Sequence, residues 1–313
     1  MYKGITAGEA LDILNIDAVE EFREVLKETT QIRRKLMENK VEACSIINAR
    51  CGGCSEDCAF CAQSKRSNAD IDFYPLLDAD SMYNYAEKIA EKGVSRIGIV
   101  TSGRSVEYGT KELETICNAV QKITTNLNIK PCASLGLLDK KALKSLKAAG
   151  LKRFHNNLET SESFFPEICS TRSYGEQINT IRTAKSIGLE VCCGGIFGLG
   201  ESKKQRIEML EAIRKLDIDS VPINFFTPIP GTPLEKFNDI SPLDCLKVIA
   251  AATLMMPDKI IRVCGGREYN LKDDQYRIFE AGAAAFMTGG YLVTPGRSLE
   301  EDLEMLKNIS ISL

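Results

Sequence analysis

A single α/β domain closed as a (β/α)8 barrel of the TIM type is predicted by three features of the sequence. Short β-prone runs alternate with helical runs eight times, the pattern of a parallel sheet wrapped by helices. The chain has 313 residues, which suits one barrel of about 250 residues plus an extension. A loop dense in cysteine follows the first predicted strand, on the face where barrel enzymes carry their chemistry. An open doubly wound sheet is the alternative that the same alternation allows.

Taken in order, residues 1–43 read as a helical extension and 44–313 as the barrel. Thr6 opens the run Thr6-Ala7-Gly8-Glu9, a capping-box signal, and apolar residues from Val19 to Met37 recur at helical spacing. Strands are expected to begin near Cys44, Ser95, Lys130, Lys152, Leu189, Ser220, Ile260 and Ala284. Helices are expected over 79–92, 111–126, 140–149, 174–187, 202–216, 242–255 and 271–281, with 298–309 as the last. No low-complexity linker or second domain interrupts the series.

Composition excludes several classes. The net charge is −3 without a basic block, so nothing points to nucleic acid. The first residues lack an apolar signal core and no run reaches membrane-spanning length, so no membrane association is expected. Twelve cysteines without an export signal imply reduced thiols, metal ligation and a cytoplasmic location. A single histidine, His155, and no tryptophan argue against a histidine-rich metal site.

The cysteine loop runs Cys54-Ser55-Glu56-Asp57-Cys58-Ala59-Phe60-Cys61. Structural zinc usually takes a fourth ligand of the same kind, whereas a [4Fe–4S] cube held by three cysteines keeps one iron open. With Phe60 before its third cysteine, the loop resembles the cluster loop of radical S-adenosylmethionine (AdoMet) enzymes. Side chains alternate along a strand, and one face of each barrel strand points inward. That places His155, Asn157 and Glu159 on one face of the fourth strand, opposite Phe154 and Leu158. It also sets Asn224 on the sixth strand, and Arg262 with Cys264 on the seventh, opposite apolar neighbours. Burying such groups without partners costs several kcal/mol each, so they are expected to line a binding cavity. Cys132 on the third strand and Cys192 on the fifth add thiols to the same lumen. One free cysteine is usually a small buried apolar group; three beside Arg262 suggest a second set of metal ligands.

Several further stretches complete a resemblance to the biotin synthase family over nearly the whole length. They are Thr101-Ser102-Gly103-Arg104, Asn157-Leu158-Glu159-Thr160-Ser161, Gly194-Gly195-Ile196-Phe197-Gly198-Leu199-Gly200-Glu201, Val221-Pro222-Ile223-Asn224, Pro230-Gly231-Thr232-Pro233-Leu234 and Arg262-Val263-Cys264-Gly265-Gly266-Arg267-Glu268. The resemblance implies insertion of sulfur into dethiobiotin to give biotin, driven by the 5′-deoxyadenosyl radical made from AdoMet. It implies that Cys54, Cys58 and Cys61 hold the AdoMet cluster and that Asn157 and Glu159 reach the AdoMet ribose, where the family often has Asp in place of Glu159. Ser102 and Gly103 would line the methionyl end, Gly194 and Gly195 would let backbone approach the cofactor, and Asn224, with Asn157, would meet the ureido ring of dethiobiotin. An electron donor such as flavodoxin or ferredoxin is implied, and assembly into a homodimer stays open.

The sequence departs from the family at its auxiliary cluster. Family members hold a [2Fe–2S] cluster with three cysteines and an arginine. Cys132, Cys192 and Arg262 match three of these ligands, but Gly98 stands where the remaining cysteine belongs. Cys264 is gained near Arg262. Three thiolates suit a four-iron cluster with an extra sulfide on its open iron, with Arg262 beside it; a [2Fe–2S] cluster completed by Arg262 or Cys193 is the alternative. Cys51 and Cys193 read as spectators, and Cys44, Cys117, Cys169 and Cys245 as structural. Other readings are a radical AdoMet maturase or mutase with a different small substrate, or a non-catalytic iron–sulfur carrier.

Overall fold

The computed structural model describes residues 3–313. Two helices precede the barrel, α1 (Ala7–Asn15) and α2 (Val19–Met37). Thr6 and Glu9 close the predicted capping box, satisfying amide groups the first turn would otherwise leave free. The strands and helices then alternate: β1 (Glu42–Arg50), α3 (Ala79–Glu91), β2 (Arg96–Thr101), α4 (Lys111–Asn126), β3 (Lys130–Ser134), α5 (Lys140–Ala148), β4 (Arg153–His155), α6 (Phe165–Ile168), α7 (Tyr174–Ser186), β5 (Glu190–Cys192), β6 (Gly195–Phe197), α8 (Lys203–Lys215), β7 (Ser220–Phe225), α9 (Pro242–Met255), β8 (Ile260–Val263), α10 (Arg267–Leu271), β9 (Ala285–Met287) and α11 (Leu299–Asn308).

All pairings between these strands are parallel, in the order β5-β4-β3-β2-β1-β9-β8-β7-β6, and a β5–β7 pairing closes the ring. β5 and β6 are two halves of one stave, broken at Cys193-Gly194, so nine strand segments make an eight-stave barrel. Closure excludes the doubly wound alternative. At the break only glycine fits, since a Cβ on Gly194 would overlap the Pro222 carbonyl oxygen of the neighbouring strand.

The predicted starts of the eight strands hold, and so do seven of the eight predicted helices. The expected helix over 271–281 is instead the short α10 followed by a 3-10 stretch, Lys272–Ile278. Lys272 adopts φ +48°, which no α-helix accommodates.

β1 shows how the barrel is filled. Ala43, Ile47 and Ala49 are buried against the helices, while Glu42, Cys44 and Ile46 on the lumen side keep partial access. The apolar core therefore lies between staves and helices, and the lumen stays open as a cavity. The C-terminal segment is locked on by a fully buried ion pair. Arg267 donates to both carboxylate oxygens of Asp302 on α11, at 2.7 and 2.6 Å.

Candidate active site

The cysteine loop is pinned by the two acidic residues between its cysteines. Asp57 accepts hydrogen bonds from the amide and hydroxyl of Ser170 at 2.8 and 2.5 Å and from the amide of Thr171 at 3.2 Å. Glu56 accepts from Arg104 at 3.2 Å and from the Thr171 hydroxyl at 3.0 Å, and pairs with Arg172 at 3.6 Å. The hydrogen bonds to Asp57, from Ser170 foremost, outweigh burial and hold its carboxyl well below the usual range. Charge-assisted bonds of this kind fix a loop before any ligand arrives. The sequence signal was present in Glu56-Asp57, but most of its partners lie over a hundred residues away.

Cys54, Cys58 and Cys61 all line one cavity of about 340 Å³ at the C-terminal end of the barrel, a size typical of small-molecule sites. Cys58 donates to Cys169 with 3.9 Å between sulfurs. That contact, followed by burial, raises the Cys58 thiol, while Cys169 is pushed down to about 6 by the same bond. Cys169 was expected to be structural only; the loop cradle instead brings it against a predicted ligand. Phe60 lines the cavity and packs on Ile168, Leu199 and Phe226.

The predicted polar set converges on the same space. Asn157 and Glu159 face it, with Asn157 Oδ1 accepting from the Gly194 amide at 3.2 Å and Nδ2 donating to Glu159 at 3.4 Å. Glu159 adopts φ +69°; burial raises its carboxyl, and Arg172 at 3.7 Å opposes that rise. Burial, partly opposed by Glu159, keeps His155 below its ordinary value. Asn224 bridges two backbone segments, donating to the Gly195 carbonyl at 3.1 Å and accepting from the Gly265 amide at 3.0 Å. One of its N–H groups and one lone pair remain for a ligand.

One expectation needs correction. Gly194 and Gly195 are not in the cavity wall; a Cβ on Gly195 would run into Met209 and the Glu159 carbonyl oxygen. Glycine is required there by neighbouring protein backbone, not by an approaching ligand. Ser102 lines the cavity as expected, and its hydroxyl donates to the Gly52 carbonyl at 2.6 Å, bracing the turn before the cysteine loop. Beside it Gly103, at φ +114°, faces the cavity where a Cβ would meet Arg50.

Deeper in the lumen lie Cys132, Cys192, Cys264 and Arg262, as predicted, and with them Cys44. Cys44 was expected to be structural. It instead faces the lumen with Cys264 and Arg262, whose influence, Cys264 foremost, outweighs burial and brings its thiol down to about 6. Cys132 is pushed up to about 12, chiefly by burial. Cys193 is fully buried and absent from the cavity wall, so it cannot supply a ligand to the lumen. Below the thiols, Glu42 pairs with Arg262, with Arg96 at 3.0 Å and with Arg153 at 3.9 Å. Arg153 also pairs with Glu190 at 2.9 Å. Burial lowers the Arg262 guanidinium, but the charges of Cys44, Glu42, Cys192 and Cys264 more than reverse it, so it stays protonated. Arg96 and Arg262 each keep one buried Nη1 without a hydrogen-bond partner among the described residues. Three guanidinium groups over two carboxylates leave positive charge facing the thiols, which suits an anionic iron–sulfur group.

Tyr291, Leu292, Val293 and Thr294, which follow β9 in the chain, also line the cavity. Neither these residues nor Arg96, Arg153 and Arg172 carry a pattern that marks them as site residues in the sequence.

Residues 50–213 match the Radical SAM superfamily and residues 222–311 match the Biotin and Thiamin Synthesis associated domain. The chain is 47% identical to a biotin synthase from Geotalea daltonii, over 99% of this chain and 93% of that protein. It is 49% identical to a biotin synthase from Pelobacter propionicus, over 91% and 87% respectively. Among solved structures, a methylornithine synthase superposes with TM-score 0.86 at 21% identity, covering 99% of this chain and 94% of that one. A maturase of the [FeFe]-hydrogenase superposes with TM-score 0.84 at 17% identity, covering 98% and 71%. These two likenesses speak to the fold.

Proposed function

Because the chain belongs to the biotin synthase family of radical AdoMet enzymes, we infer that its cavity performs sulfur insertion into dethiobiotin with AdoMet as co-substrate. One observation carries the reading of the site: three loop thiols and a second set of thiols face one cavity, with amide and carboxylate groups between them. When bound, the [4Fe–4S] cluster with AdoMet supplies the hydrogen-abstracting radical and the auxiliary cluster supplies sulfur; the protein orients and excludes water.

Cys54, Cys58 and Cys61 are the ligands of the AdoMet cluster in this reading. Phe60, Ser102, Gly103, Asn157 and Glu159 bound the AdoMet space. Glu159 reaches one methylene further than Asp would, and a carboxylate can accept from two ribose hydroxyls. The Asn157 contact to the Gly194 amide supports a fixed orientation for that pair. Asn224 is assigned to the ureido ring, since its free N–H and lone pair match a group that both accepts and donates.

For the auxiliary site we favour a four-iron cluster with an extra sulfide, with Cys132, Cys192 and Cys264 as ligands. Arg262 serves as counter-charge, because a guanidinium already paired to Glu42 is poorly placed to give up a proton and bind iron. A [2Fe–2S] cluster completed by Arg262 is the alternative. A one-electron donor such as flavodoxin or ferredoxin completes the system, and reduced thiols favour a cytoplasmic location. Among the described residues no helix is long and apolar enough to cross a membrane.

Anaerobic reconstitution with iron and sulfide, followed by assay with dethiobiotin and AdoMet, tests the reading; AdoMet cleavage without consumption of dethiobiotin would overturn the substrate. Asn224→Ala is expected to weaken dethiobiotin about tenfold to a hundredfold, since an unpaired buried polar group costs about 1–3 kcal/mol. AdoMet affinity should barely move in a binding titration. Equal weakening of both ligands would show that Asn224 only supports the Gly195 and Gly265 backbone.

A further inference from the structure

Barrel interiors are built in layers of four side chains from alternate strands, each layer advancing with a shear of about eight residues per circuit. Strand pairing allows one such layer to be traced here. Cys44 pairs with Arg96 and Arg96 with Lys130; advancing two residues puts Cys132 level with Cys44. Cys132 pairs with Arg153 and Arg153 with Glu190, and the same advance reaches Cys192. Cys192 pairs with Ser220 and Ser220 with Ile260, which brings Arg262 level. Arg262 pairs with Ala285 and Ala285 with Glu42, and the final advance returns to Cys44. Cys44, Cys132, Cys192 and Arg262 are therefore one closed layer of the lumen.

Gly98 lies on β2, between two members of that layer, and brings no side chain. A Cβ there would sit 3.3 Å from Ile46 Cγ2, so the Ile46 side chain already crowds the place a longer group would need. Cys44 sits one strand over and lines the same cavity as Cys264 and Arg262. We propose that Cys44 is a thiolate ligand of the auxiliary cluster, supplying from β1 the position that Gly98 leaves empty on β2. This rests on the auxiliary cluster proposed above and adds a ligand to it. With all four thiolates bound, a two-iron rhomb and a four-iron cube are both complete and neither keeps an open iron; an iron for the extra sulfide remains only where one of the four, such as Cys264, stays off the cluster. Ligand number therefore no longer separates the two, and iron counting must.

The test uses a Cys54→Ala/Cys58→Ala/Cys61→Ala background, in which any remaining cluster iron belongs to the auxiliary site. In that background Cys44→Ala, Cys44→Ser and Cys132→Ala are reconstituted anaerobically with iron-57 and sulfide. Iron per chain and Mössbauer parameters are then read. Cys44→Ala is expected to lose most auxiliary iron, as Cys132→Ala does. Cys44→Ser is expected to keep more iron with a shifted isomer signature, oxygen replacing sulfur on one iron. Parent-like iron and spectrum in Cys44→Ala, with loss in Cys132→Ala, would overturn the Cys44 assignment alone. Parent-like spectra in both would overturn the auxiliary site. Loss in Cys44→Ala with an unchanged spectrum in Cys44→Ser would assign Cys44 to packing and also overturn the proposal.

Discussion

Replacing Cys58 by Ala is expected to reduce AdoMet cleavage to background while leaving the auxiliary iron in place. Cys58 is the middle thiol of a loop held rigid by Asp57 and Glu56, so no neighbouring backbone shift can bring another loop residue into its position. The two proposed clusters share no ligand. One thiol lies close enough to interfere: Cys169, 3.9 Å from the Cys58 sulfur. The measurement therefore includes Cys58→Ala/Cys169→Ala, assayed anaerobically for 5′-deoxyadenosine beside the single variant. Product at the parent's rate from the double variant would remove Cys58 from the cluster. Product from the single variant alone would identify Cys169 as a substitute ligand.

At the auxiliary site, the reconstituted protein is expected to carry about four irons beyond the loop cluster. Cys264→Ser is expected to abolish biotin formation while 5′-deoxyadenosine still accumulates, because the radical-generating thiols lie on a separate loop. Mössbauer spectra with iron counts decide the first part: a two-iron signature overturns the four-iron reading, whichever thiolates hold it. Product analysis decides the second. Biotin formed at the parent's rate by Cys264→Ser would remove that thiolate from sulfur delivery and leave Cys44, Cys132 and Cys192 as the thiols of the lumen.

The alternation of strands and helices, the position of the cysteine loop and the inward face of each strand were legible in the sequence. All are local: a period of two along a strand or a cap at a helix start depends on near neighbours. His155, Asn157, Asn224, Arg262, Cys132, Cys192 and Cys264 could be placed in the lumen on that basis, and they line the cavity. The sequence by itself did not determine which residues stand level across the barrel. Cys44 looked like one more small buried group because Glu42, two residues before it, meets its arginine partners only once the barrel has closed. Its place beside Cys264 depends on the register of strands 220 residues apart. Arg96, Arg153 and Arg262 read as unrelated charges until strand pairing set them around Glu42 and Glu190. The glycine pair Gly194-Gly195 shows the converse, since it reads as a ligand-facing turn but is required by carbonyl groups of neighbouring strands. The inward direction of a side chain is a property of its own strand; its height in the barrel and its partners are set by shear and closure, which exist only once the last strand has paired.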